Sequence, residues 1–464
     1  MEAARHNTGH HIVAMPYPGR GHINPMTNLC ALLASKGGIT ITLVVTEQWL
    51  GLLGSPPDTQ SIRFRCIPNV VPSEHDRAAD VAGFFDAVLT NMEAPFDRLL
   101  DQLEPPASCL VADTLLSWMT SVGSRRNIPV VSVWIMAPSA FSLKLCGFSH
   151  THIIEKCFAP SSTVILGSLL RAERQEEIID YLPGVSPMHL ADLPLVAIDS
   201  NTSALKRMLE AFHSAAKAKA LVFTTFYDLQ PDVVDALRAK LPIPVYSIGP
   251  AIPYFKLPPP KPVSTSQASY FRWLDSQPKS SVLYVSMGSF LSASGEQMNE
   301  FSKGLRASGY GYLWVARAEA VEMLEDPCGE NGLTVPWCDQ LRVLCHPSIG
   351  GFLTHCGWNS TMESIFAGVP MLTFPLFFDQ YHNAKLIVED WKVGLKLKLG
   401  IGAATAVGRD EISKTVTRLM DLNGEESKEL RRRAKELQEI CHNAIKMGGP
   451  VDDNIAAFLE NIAP

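Results

Sequence analysis

At 464 residues the chain is too long for one ordinary core, so two domains of about 200 residues each are expected. Its 46% hydrophobic and 19% charged residues suit a globular protein, and a net charge of −7 argues against nucleic acid or an acidic membrane surface as partner. No apolar run approaches the roughly eighteen residues of a membrane-spanning helix, so no stable membrane insertion is expected.

The opening residues M-E-A-A-R-H-N-T-G-H-H lack an apolar signal core. Residues 11–16 then read as a buried strand, broken by the turn Pro16-Tyr17-Pro18-Gly19-Arg20-Gly21. Helical periodicity begins at His22 and runs to Gly37-Gly38, and residues 39–45 form a second buried strand. This βαβ opening predicts a parallel, doubly wound sheet of the α/β class. Further strands are expected at 62–67, 108–112, 129–134 and 220–224, with helices at 81–103, 115–126, 137–150 and 231–240. Residues 158–201 are proline-dotted and weakly periodic, as suits a loop-rich pocket wall. A proline-rich stretch, 248–265, reads as an interdomain linker. It separates an amino-terminal domain, 1–247, from a second βα series, 266–447, whose strands begin at 281–286 and 311–316. Helices at 409–420 and 425–446 follow, and Gly448-Gly449-Pro450 sets off a last helix in the terminal segment 448–464. The ten cysteines are scattered without paired spacing, which reads as free thiols in a reducing compartment and favours the cytoplasm.

Two positions in the first half carry candidate chemistry. His22 follows a glycine-rich turn at the end of the first strand, where an imidazole suits proton abstraction, although a helix-start histidine without chemistry fits the same place. Asp113 ends a buried strand and reads equally as an orienting partner for an imidazole or as a helix cap. A nicotinamide-binding alternative rests on Gly19-Arg20-Gly21 after the first strand and Glu47 ending the second. It lacks the third glycine, since Asn24 stands there, and leaves the second half unexplained.

The richest stretch is 337–380, W-C-D-Q-L-R-V-L-C-H-P-S-I-G-G-F-L-T-H-C-G-W-N-S-T-M-E-S-I-F-A-G-V-P-M-L-T-F-P-L-F-F-D-Q. His355 closes a strand-like run, Gly357 follows, and Trp358-Asn359-Ser360 open a predicted helix to about Ala367. Such a junction presents unpaired N–H groups and a positive dipole end, a natural phosphate site. Glu363, one turn beyond Asn359, could accept hydrogen bonds from sugar hydroxyls.

In its order of residues this stretch resembles the signature box of plant family 1 UDP-sugar-dependent glycosyltransferases, and Gly21-His22 with Asn24-Pro25 and Val111-Ala112-Asp113 resembles that family's catalytic motifs. The resemblance implies a GT-B fold, two Rossmann-like domains facing across a cleft, with the acceptor held by the first half and the nucleotide sugar by the second. It implies His22 as general base with Asp113 as its partner, and a UDP-sugar site that includes Trp337, Cys338 and Gly357. Trp337 would stack on the uracil, and Gln340 and Glu363 would bind the ribose. Ser289, His355, Asn359 and Ser360 would hold the diphosphate, while the Trp358 backbone, Asp379 and Gln380 face the sugar. A glutamine at the last box position goes with glucose, so UDP-glucose is the expected donor substrate and direct attack would invert the anomeric centre. With the diphosphate met by donors and a helix dipole, neither metal nor cofactor is expected. One departure stands out: Asp339 replaces the proline of the family's W-x-P-Q, which adds charge near the ribose.

The expected acceptor pocket draws on 82–85, Trp118, 136–141 and 182–195, whose apolar and aromatic character points to a small lipophilic molecule such as a phenolic, terpenoid or hormone. A monomer is expected. The competing functional reading is a protein that binds UDP-sugar without transferring it.

Overall fold

The computed structural model describes residues 10–54, 56, 58–59, 61–74, 77, 79–147, 178–189, 192, 202–257, 269–288, 294–316, 331–397 and 406–463. Two parallel sheets organise them. The first has seven strands: β1 (His10–Met15), β2 (Ile39–Thr46), β3 (Ile62–Ile67), β4 (Cys109–Asp113), β5 (Val130–Trp134), β6 (Ala220–Phe223) and β7 (Val245–Ser247), in spatial order β3-β2-β1-β4-β5-β6-β7. The second has six: β8 (Val282–Ser286), β9 (Gly311–Val315), β10 (Gly332–Val335), β11 (Ile349–Thr354), β12 (Met371–Thr373) and β13 (Gly394–Lys396), in order β10-β9-β8-β11-β12-β13. The central strands are apolar runs buried along their length, as parallel sheets covered on both faces require.

In both sheets the strand order reverses beside the first strand, between β1 and β4 and between β8 and β11. Ligands of doubly wound sheets bind outside the carboxyl ends of strands at such a switch point. This is the GT-B architecture. Six helices matter below: α1 (Arg20–Ala34), α2 (Pro138–Gly147), α3 (Gln340–Leu344), α4 (Trp358–Ala367), α5 (Gln380–Lys385) and α6 (Pro450–Asn461). The last of them returns to the first sheet. Asn454 Oδ1 accepts the Ser247 N–H at 3.3 Å, the Phe458 ring meets Tyr246 edge-on at 5.7 Å, and Asp452 pairs with Lys36 at 2.6 Å.

Local chemistry explains where the elements depart from expectation. The helix expected at 81–103 divides into Val81–Asn91 and Glu93–Leu100 around Met92. Pro95 is the reason: it lacks an N–H and fits only the first turn of a new helix. The helix expected from 115 starts at Met119, because the chain first turns on Asp113, whose Oδ1 accepts the Leu115 N–H at 3.0 Å. Glu47 directly follows β2, which ends at Thr46, and opens the helix Glu47–Leu52; the Thr46 hydroxyl accepts from the Trp49 N–H.

Of the proline-rich stretch, Ile248, Ala251 and Ile252 are buried, and Asn28 donates to the Ala251 carbonyl at 3.1 Å; residues 258–265 lie outside the described residues. No helix among the described residues is long and apolar enough to cross a membrane. Cys30, Cys66, Cys109, Cys338, Cys345, Cys356 and Cys441 are free thiols.

Candidate functional site

The first switch point brings two of the sequence candidates into contact. His22 lies in the opening turn of α1, just beyond β1, and Asp113 is the last residue of β4. His22 Nδ1 and Asp113 Oδ2 stand 2.7 Å apart, with the carboxylate buried and the imidazole partly exposed. Asp113 therefore serves as partner through one oxygen and as turn cap through the other. A buried carboxylate on Nδ1 fixes the ring and leaves Nε2 available at the open side. Tyr17 lies beside the ring, centroids 4.9 Å apart, and in turn meets Phe84 and Phe85 at 6.1 and 6.3 Å. The three rings are buried and pack as a group beside the histidine. Trp118 packs farther back, donating to the Val88 carbonyl at 3.3 Å. Of residues 182–195, only 182–189 and 192 are described.

The second switch point holds the other candidates. His355 follows β11 and is enclosed by glycines: a Cβ on Gly288 would lie 2.6 Å from its Nε2, and one on Gly357 2.4 Å. Gly288 also has φ +79°, a left-handed conformation that favours glycine. Burial pushes the imidazole down to about 4, so it is neutral near pH 7 and offers one N–H rather than a charge. Helix α4 begins at Trp358 behind Gly357, with no side-chain cap and no acid in its first turn, an end whose N–H groups and dipole suit an anion. Ser360 and Asn359 flank that end. Asn359 Nδ2 donates to the Gly21 carbonyl at 2.8 Å, so the anion cradle abuts the residue immediately before His22.

Beside the cradle, the Gln340 amide donates to Ser360 Oγ at 2.9 Å and to Glu363 Oε2 at 2.6 Å. Tyr284 on β8 donates to Gln340 Oε1 at 3.0 Å and lies 3.4 Å from the Cys338 sulfur. Desolvation raises the Glu363 carboxyl to about 7, against the opposing hydrogen bond from Gln340. Trp337 projects with 68% of its surface exposed, an apolar plane open to a partner. Asp339 turns out to be a helix cap. It accepts the Arg342 N–H at 3.3 Å and starts α3 so that Gln340 faces Glu363, while its own N–H donates to the Tyr270 hydroxyl at 3.2 Å.

At the far side of α4, Gln380 Oε1 accepts the Leu376 and Phe377 N–H groups at 2.8 and 2.9 Å, which leaves its amide N–H₂ for a ligand. Asn383 donates to Asp379 Oδ2 at 2.8 Å and to the Cys356 carbonyl at 2.9 Å, locking the carboxylate to the loop before α4. Ser289 lies outside the described residues.

Sequence reasoning passed over Tyr284 and Asn383, which orient Gln340 and Asp379. Tyr284 sits in an apolar strand and carries no signal of its own. Asn383, one turn beyond Asp379 in a helix, is the kind of pair that spacing can suggest.

Comparison with known proteins gives a consistent result. The family described as "UDP-glucoronosyl and UDP-glucosyl transferase" matches residues 256–414. UDP-glycosyltransferase 87A2 of Arabidopsis thaliana is 47% identical, covering 98% of this chain and 97% of its own. Among solved structures, Medicago truncatula UGT71G1 complexed with UDP-glucose matches with TM-score 0.79 and 25% identity, covering 98% of this chain and 99% of the other. Phytolacca americana UGT2, complexed with UDP-2fluoro-glucose and pterostilbene, matches with TM-score 0.77 and 27% identity over 98% of this chain and 100% of the other.

Proposed function

The chain belongs to the plant UDP-glycosyltransferase family, and from that premise we propose that it transfers glucose from UDP-glucose to a hydroxyl, or carboxylate oxygen, of a small lipophilic acceptor such as a phenolic, terpenoid or hormone. The first half would hold the acceptor and the second the donor. The observation that carries the reading is the His22–Asp113 contact at 2.7 Å, joined through the 2.8 Å bond between Asn359 and the Gly21 carbonyl to the anion cradle of the opposite domain.

In this mechanism His22 Nε2 takes the proton of the attacking hydroxyl, and the buried carboxylate of Asp113 stabilises the imidazolium that forms. The acceptor oxygen bonds to the anomeric carbon as the bond to the diphosphate oxygen breaks, and UDP leaves with the electron pair. Neutral His355, Ser360 and the first-turn N–H groups of α4 meet the negative charge that develops there, which is why no metal is invoked. Trp337 stacks on the uracil, and Gln340 with Glu363 takes the ribose hydroxyls. Asp379 and the Gln380 amide hold the sugar for attack from the opposite face, which inverts the anomeric centre.

The test is an acceptor screen with UDP-glucose, reading product mass and UDP release, with the anomeric configuration of the product from its proton coupling and turnover measured in EDTA. A β-glucoside formed in EDTA is expected. Tight UDP-glucose binding without product from any acceptor class would overturn the transferase reading in favour of a binding protein.

A further inference from the structure

Helix α5 begins at Gln380, with Asp379 as its N-cap residue, and so carries the two residues proposed to hold the sugar. Its inner face is occupied by something the donor site does not use. His382 is fully buried, and its Nε2 lies 2.6 Å from the hydroxyl of Ser139, which belongs to α2 in the amino-terminal half. Ser139 is itself fixed by Gln230: the Gln230 amide donates to the Ser139 hydroxyl at 2.8 Å and accepts the Ser139 N–H at 3.3 Å. All three side chains are at most 8% exposed.

One turn along α5, buried Lys385 pairs with Asp390 at 2.6 Å and also contacts the hydroxyl of Ser186, again from the amino-terminal half. Ser186 closes the triangle by donating to Asp390 at 2.7 Å. Two polar anchors three residues apart therefore bind one face of a short helix to the opposite domain. Beyond Lys385 the chain continues as a π-helical turn, Leu386–Asp390, so the two contacts grip α5 near its middle and at its junction with that turn. Buried polar contacts of this kind are sharply geometric, because in a dry interior a hydroxyl–imidazole pair is either made or leaves groups unpaired.

We propose that the Ser139–His382 and Ser186–Lys385–Asp390 contacts are the acceptor domain's hold on the sugar-binding helix, so that Ser139 and Ser186 are positioning residues for Asp379 and Gln380 and thereby for donor-sugar selectivity. The inference rests on the proposed transferase function. The nucleotide itself is held elsewhere, by Trp337, Gln340, Glu363 and the α4 terminus, so the hold separates sugar from nucleotide recognition. His382 suits the task because burial keeps it down at about 3 and Lys385 opposes its protonation, so it stays a neutral partner across the working pH range.

The test compares wild type, Ser139→Ala, Ser139→Thr and Ser186→Ala in the full-length chain, measuring Kd for UDP, KM for UDP-glucose, and the ratio of kcat/KM for UDP-glucose over UDP-galactose. Ser139→Ala is expected to raise KM for UDP-glucose about tenfold and to reduce the sugar ratio by a similar factor, with UDP affinity within about twofold of wild type. Ser186→Ala, at a less enclosed contact, shows the same pattern more weakly and covers the case in which Ser139→Ala does not fold. The Ser139→Thr variant, which keeps the hydroxyl, restores the ratio. If Ser139→Ala or Ser186→Ala lowers thermal stability yet leaves the ratio of sugar to UDP affinity unchanged, the contacts are interdomain packing alone and the hold is refuted. A wild-type protein that neither binds UDP-glucose nor releases UDP would instead sink the transferase reading, and this inference with it.

Discussion

Glu363 should make the proposed donor site sensitive to pH, by an amount that its environment sets. Its carboxyl is desolvated and raised to about 7, its Oε2 accepts the Gln340 amide at 2.6 Å, and its remaining oxygen is the proposed acceptor for a ribose hydroxyl. A charged acceptor contributes roughly 1.5–3 kcal/mol per hydrogen bond and a neutral one roughly 0.5–1.5, so losing the charge costs about 1.4 kcal/mol, or about tenfold in affinity. Glu363 is mostly ionised at pH 8 and mostly protonated at pH 6. With about nine-tenths of Glu363 ionised at pH 8 and about one-tenth at pH 6, UDP-glucose affinity should therefore fall about fivefold between those values. The measurement is titration calorimetry of UDP-glucose from pH 6 to 8. UDP-glucose is preferable to UDP because both its phosphates are singly acidic and fully ionised throughout, whereas the terminal phosphate of UDP titrates inside the window. His355, held at about 4, is silent there. In Glu363→Gln the profile should flatten at the weaker plateau. A wild-type profile that is flat, or a Glu363→Gln profile that keeps its slope, refutes the role of this carboxyl in ribose binding.

The same shift has a consequence for folding. A carboxyl whose pKa is about 7 folded and about 4.5 unfolded contributes stability that is complete below pH 4.5 and is lost as pH rises through 7, by up to about 3 kcal/mol. Ligand-free Glu363→Gln should therefore melt higher than wild type at pH 8 and level with it near pH 5, as calorimetric scans at the two values would read. His22→Ala removes the proposed general base. It should lower kcat by ~10²–10⁴ while UDP-glucose affinity stays close to wild type, and near-normal turnover would disprove the assignment. Trp337→Ala deletes a ring that is 68% exposed, so the melting temperature should hold while UDP binding weakens by ~1–3 kcal/mol, measured by calorimetry. Asp339→Ala removes a cap and should cost about 1 kcal/mol in denaturant unfolding, with full UDP affinity only if α3 still presents Gln340.

Much of the fold was legible because buried parallel strands announce themselves as short aliphatic runs, and β3 and α4 fell within the expected residues. Of the short elements, β6 fell within the expected 220–224, but others were not read. β7, β10 and β13 have three or four residues each and hold their place through sheet neighbours rather than through any pattern of their own. The site shows the same division. Glycine at 357 and the helix start are readable as an anion cradle, and the carboxylate at 363, one turn beyond Asn359, as an acceptor for hydroxyls. The charge of Asp339 does bear on Glu363, as expected, but its role as a cap was not read, because capping depends on where α3 starts and that follows from the end of β10.

Apart from Asn383, the residues that escape a linear reading share a physical trait: each acts on a partner distant in sequence. Tyr284 orients Gln340 across 56 positions, and Ser139 meets His382 across 243. Neither type is unusual where it stands, a tyrosine in a strand and a serine at a helix start. Both become specific only when the two sheets are brought together and water is excluded, for then a hydroxyl facing an amide or an imidazole is a geometric constraint rather than a solvated group. The groups expected to touch the donor are local and cluster in one stretch, whereas the groups that aim them are dispersed across both halves. Selectivity among sugars therefore need not reside in the box itself. Two chains with the same Asp379 and Gln380 can differ in how α5 is held, and exchanging Ser139 and Gln230 between such chains is the change that should carry the difference with it.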